Sequence, residues 1–90
     1  MNLPPAITQE RFIAADPLAL ALERYFRSLE AQRGEELRAH PTPEGVAVYF
    51  DGTEITGRNY DAALIRLAGL LLNKPTLRKD LIDILREPHP

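Results

Sequence analysis

Between positions 62 and 72 the chain runs Ala-Ala-Leu-Ile-Arg-Leu-Ala-Gly-Leu-Leu-Leu, and Arg66 is the only charge in those eleven residues. On a helix of 3.6 residues per turn, Ala62, Arg66, Gly69 and Asn73 share one narrow stripe, while Leu64, Ile65, Leu67, Leu70, Leu71 and the alanines cover the rest of the wheel. The run is too short for a bilayer, which takes about 20 apolar residues. It must be the central helix of a core or part of a subunit interface, and the rest of the chain has to cover it.

Ninety residues leave room for one hydrophobic core, so a cleft between two domains is not expected. The reading is an irregular lead over residues 1–7, a single α+β domain over 8–87 and a tail over 88–90. No cysteine is present, which removes disulfides, thiolate metal sites and cysteine nucleophiles together. No basic start followed by an apolar run opens the chain, so neither a signal peptide nor a transit peptide is read, and the expectation is a cytoplasmic protein with no membrane partner. The net charge of −2, from 11 basic and 13 acidic residues, lacks the basic surplus that phosphate neutralisation requires. Nine of the eleven basic residues are arginine, which suits forked contacts with carboxylates at protein interfaces.

Start and stop signals order the elements. Thr8 can cap a short turn over residues 9–15. Asp16-Pro17 is a stronger signal, an N-cap side chain before a proline at the first helical position. Leu18, Leu22, Tyr25, Phe26 and Leu29 recur at helical spacing up to Gly34. The period then shortens to two: Leu37 and Ala39 alternate with Arg38 and His40, and Val46, Val48 and Phe50 with Ala47 and Tyr49. Residues 41–45 supply one turn, and Asp51-Gly52 supplies a two-residue hairpin turn before 53–56. Asn59 or Asp61 can cap the apolar helix, residues 73–76 break it, and Thr76 is the expected cap of a last helix whose inner face is Leu77, Leu81, Ile84 and Leu85. The fold class is a small α+β domain of order α-β-β-β-α-α, a three-stranded antiparallel meander packed on helices.

No chemical constellation accompanies these elements. Ser28 is the only serine and lies within the first helix, where a hydroxyl faces solvent or bonds back to the preceding turn. His40 and His89 show no metal-ligand spacing. The acid pairs Glu35-Glu36, Asp51-Glu54 and Asp80-Asp83 read as solvated turns and helix ion pairs, and Gly45, Gly52 and Gly57 are separate turn glycines rather than a phosphate loop. The expectation is no enzyme, with no catalytic residue, metal or cofactor.

Two binding readings remain. Residues 60–73 and 77–86 form a helix pair at helix-turn-helix spacing, with Arg78 and Lys79 as nucleic-acid contacts at the start of the second helix. The order helix, three strands, helix is also similar to the double-stranded-RNA-binding domain, whose last helix starts with a lysine cluster; here that position reads Gly57-Arg58-Asn59-Tyr60-Asp61. The favoured reading is a module that binds another protein as regulator, adaptor or inhibitor, by occlusion or bridging. Its contact candidates are Tyr49, Asp51, Glu54, Arg58 and Tyr60, with the open strand edges as a second surface. In its order of elements the chain resembles small phage-encoded anti-CRISPR inhibitors, a likeness that implies occlusion of a larger machine. The leucines of the last two helices further suggest a homodimer through residues 60–73 and 77–86. A small subunit of a larger assembly is the remaining alternative.

Overall fold

The computed structural model describes residues 12–88, and the elements run α1 (Pro17–Arg33), β1 (Arg38–Thr42), β2 (Gly45–Phe50), β3 (Thr53–Gly57), α2 (Tyr60–Leu71) and α3 (Pro75–Arg86). This is the order read from the sequence. Thr8, the whole of the expected lead and His89 lie outside the described residues, and residues 12–15 carry no helix. No described helix is long and apolar enough to cross a membrane.

Local chemistry accounts for most boundaries. The Asp16 carboxylate accepts from the backbone N–H groups of Leu18 and Ala19, Pro17 opens the first turn, and Gly34 ends α1 in the left-handed conformation at φ 77°. Asp51 and Gly52 both take positive φ, 53° and 78°, as a two-residue turn matched to strand twist demands. The β1–β2 connection is tighter than the sequence suggested. Pro41 and Thr42 continue β1 and pair with Val46 and Gly45, so only Pro43 and Glu44 turn. Proline fits there because β1 is an edge strand of the sheet, whose order is β1-β2-β3. Asn59 caps α2 by accepting from Ala62 N–H at 2.8 Å. Thr76 does not cap α3. Lys74 is the N-cap residue and makes no side-chain cap, because Pro75 occupies the first helical position and moves the start two residues earlier than expected.

The three helices lie on one side of the meander. Alternation along β2 sends Val46, Val48 and Phe50 inward, where Phe50 meets Phe26 of α1 with ring centroids 5.1 Å apart. In α2, Tyr60, Ala63, Leu64, Leu67, Ala68 and Leu71 are buried, while Arg66 and Gly69 lie on the exposed stripe read from the sequence. Two glycines let backbones approach closely. A Cβ on Gly57 would stand 2.5 Å from the Ala63 nitrogen, so α2 can start against β3 only over a residue without a side chain. A Cβ on Gly45, at φ 146°, would overlap the Gly57 carbonyl oxygen.

Two substitutions test this packing by urea denaturation. Leu67, fully buried, should cost about 2–5 kcal/mol when replaced by alanine. Gly57→Ala should cost at least about 1–3 kcal/mol, since the atoms it meets are backbone and cannot rotate aside. A loss below about 0.5 kcal/mol in either variant would contradict the central placement of α2.

Candidate functional site

Of the five residues the sequence offered as protein contacts, two end up side by side. Tyr49 is 39% exposed and pairs across the strands with Arg38 on β1 and Glu54 on β3. Period-two alternation puts Arg38, His40, Ala47, Tyr49, Glu54 and Thr56 on the sheet face opposite the helices. His40 Nε2 and Glu54 Oε2 come within 3.9 Å of each other across β2. Beneath that pair Ala47, although on the outer face, is only 2% exposed. Arg38 and His40 were not singled out as contacts from sequence. Their alternation with Leu37 and Ala39 already placed them on the outer side.

The other three candidates sit elsewhere. Asp51, at the hairpin tip, is held by Lys74, whose ammonium lies 3.4 Å from the carboxylate and donates to the Asp51 carbonyl at 3.1 Å. That contact pins the β2–β3 turn to the junction between α2 and α3. Arg58 is exposed, but it follows the far end of β3 and shares no row with Tyr49. Tyr60 is 6% exposed, a core residue rather than a surface one. Its ring stands 5.6 Å from that of Phe12, and its hydroxyl donates to the Glu23 carboxylate of α1 at 2.5 Å.

Further polar ties hold the helices. Tyr25 of α1 donates to Asp80 of α3 at 2.9 Å. The Asp61 carboxylate does not cap its own helix; it accepts from the Ala15 and Asp16 N–H groups at 3.0 and 2.9 Å and fixes the start of α1 to α2. Burial, followed by the hydrogen bond and charge of Asp80, pushes the Tyr25 phenol up to about 12. Burial and then Glu23 raise that of Tyr60 further still. The Ser28 hydroxyl bonds back to the Tyr25 carbonyl at 2.7 Å. These groups build the scaffold, and no described cluster of three or more His, Cys, Asp or Glu residues could hold a metal ion.

Both sheet edges are blunted. Arg66 donates to the Thr56 carbonyl at 2.9 Å. A two-residue hairpin makes Phe50 and Thr53 a hydrogen-bonded pair, so alternation turns the backbone groups of Thr56 toward the free edge of β3. Arg66 thus covers an acceptor that another strand would use. On β1, Pro41 offers no donor, and the N–H of Leu37, just before the strand, is taken by Glu30 at 2.7 Å. The nucleic-acid candidates are likewise engaged: Arg78 donates to the Leu72 carbonyl at 3.2 Å, and Lys79 lies 3.7 Å from Asp83 one turn on.

The leucines that suggested a helix-mediated dimer are mostly covered within one chain. Leu64, Leu67, Leu71, Leu77 and Leu81 are buried, and among the large apolar residues of α2 and α3 only Leu70, at 45%, is exposed. No family model matches the chain, and neither a curated protein nor a solved structure matches it.

The tyrosine ties have a pH signature. Both phenols hold their protons more tightly in the folded chain than at the unfolded value of 10.0, so their contribution is complete below that pH and is lost as pH rises through the folded values. Unfolding free energy should therefore fall from about pH 10 upward. Tyr60→Phe should cost about 1–2 kcal/mol at neutral pH through its lost hydrogen bond to Glu23, and should show a shallower alkaline decline. Identical alkaline slopes for the two proteins would refute the tie.

Proposed function

We propose that this chain is a non-enzymatic protein-binding module that acts as a regulator, adaptor or inhibitor, and that the helix-free face of its sheet is the working surface. The observation that carries the reading is the row Arg38, Tyr49, Glu54, which crosses the three strands on that face with its aromatic residue in the centre. Tyrosine and arginine are the residues in which interface energy concentrates, because a rigid ring and a planar fork give up little conformational freedom on contact. The blunted edges favour a face over strand addition, and the engagement of Tyr60 and Asp51 within the fold narrows the contact to Arg38, His40, Tyr49 and Glu54.

The mechanism that fits is occlusion. A rigid surface carried on a folded scaffold binds without ordering a flexible segment, and so avoids that entropic cost.

The test is affinity capture from source-cell lysate, with and without nuclease, comparing the unaltered protein with Tyr49→Ala. The reading expects a nuclease-resistant, stoichiometric protein that Tyr49→Ala fails to retain, at an unchanged thermal midpoint. Retention of the same protein by Tyr49→Ala would overturn the sheet-face reading. Capture that disappears on nuclease treatment would favour nucleic acid.

A further inference from the structure

The outer row has a property that names one partner. Read across the sheet it is a cation, an aromatic ring and an anion: Arg38 on β1, Tyr49 on β2 and Glu54 on β3. Such a row is self-complementary. A twofold axis parallel to β2 and passing over Tyr49 exchanges left and right while turning one sheet to face the other. Arg38 of one copy then lies over Glu54 of the other, Glu54 over Arg38, and the two Tyr49 rings meet on the axis. In the next row the same operation sets His40 over Thr56, while Ala47, 2% exposed, stays covered within its own chain. Both charged side chains are long enough to meet across the spacing of about 10 Å between packed sheets.

Exposure agrees with this assignment. The Arg38 side chain is 68% exposed and that of Glu54 55%, and their partners within the chain, Glu36 at 3.1 Å and His40 at 3.9 Å, are themselves exposed groups that can share them. The edges disfavour a second copy pairing strand to strand, since Pro41 and Arg66 each deny a hydrogen bond there.

Resting on the reading that the open sheet face is the binding surface, we infer that this face takes a second copy of the same chain, sheet against sheet, with reciprocal Arg38–Glu54 ion pairs around a Tyr49–Tyr49 contact. Three strands about 4.8 Å apart and five residues long give a footprint of roughly 250 Å² per copy, well under the ~800 Å² per partner of a standard interface. The dimer is therefore of the weak, concentration-dependent class. It is weakened by salt and competes with any other protein for Tyr49.

Charge reversal tests the pairing with the full chain by sedimentation and by concentration-dependent amide shifts, from micromolar to millimolar protein. Arg38→Glu and Glu54→Arg should each weaken self-association about tenfold or more, since both ion pairs turn repulsive. An equimolar mixture of the two variants should associate at least as tightly as the unaltered protein, and the double variant should recover homodimerisation. Thermal midpoints of the single variants report whether each is folded, and the double variant keeps the test decisive if one is not. A chain that stays monomeric to millimolar concentration overturns the inference. So does self-association that is indifferent to these reversals, which would point to the Leu70 side of α2. If a different protein is captured through Tyr49 while the chain stays monomeric, the sheet-face reading stands and only the second copy is rejected.

Discussion

Everything in this fold depends on covering α2. Its apolar residues span so much of the wheel that one neighbour cannot bury them, and the chain surrounds it with the inner sheet face, α1 and α3. Sheet and helix must approach closely for this, and Gly57 is where they do: with any side chain there, the first turn of α2 would be pushed off β3. Because all three described helices are used on one side, none of them is left for the other. The uncovered sheet face follows from how the core is filled.

Polar contacts then fix what apolar packing leaves free to slide. Glu23 with Tyr60 and Asp61 with the backbone at residues 15 and 16 lock α1 to α2. Tyr25 with Asp80 locks α1 to α3, and Lys74 with Asp51 locks the helix junction to the hairpin tip. Each bond joins residues more than twenty positions apart in the sequence. Individually such contacts contribute modestly, yet they are directional, and direction selects one arrangement of the helices from the many that oily surfaces would permit.

This separation in sequence explains what could be read in advance. Periodicity and cap chemistry are local, and they located α1 from Asp16-Pro17 to Gly34, the hairpin at Asp51-Gly52 and the exposed stripe of α2. Pro41 and Pro75 misled because a proline marks both a breaker and a tolerated position, and the neighbouring strand or helix decides which. Tyr60 looked like a surface contact because a tyrosine at a helix start carries a polar tip. Its burial depends on Glu23, thirty-seven residues away, for which no local pattern speaks. Asp51 likewise has a distant partner, Lys74, that no local pattern announces. Tyr49 and Glu54 were legible because strand alternation and the two-residue turn fix both their face and their register.

One helix, α2, is enclosed on the inner side, while Tyr49 on the outer sheet face is exposed. The chain has no cysteine, so single cysteines can report on both places at once by their rate of reaction with a thiol reagent. In dilute solution Tyr49→Cys should react nearly as fast as an unfolded peptide. Ala68→Cys, at a fully buried position of α2, should react only through unfolding, slower by about 10³-fold or more. Comparable fast rates at both positions, or protection at position 49 in dilute solution, would contradict the account.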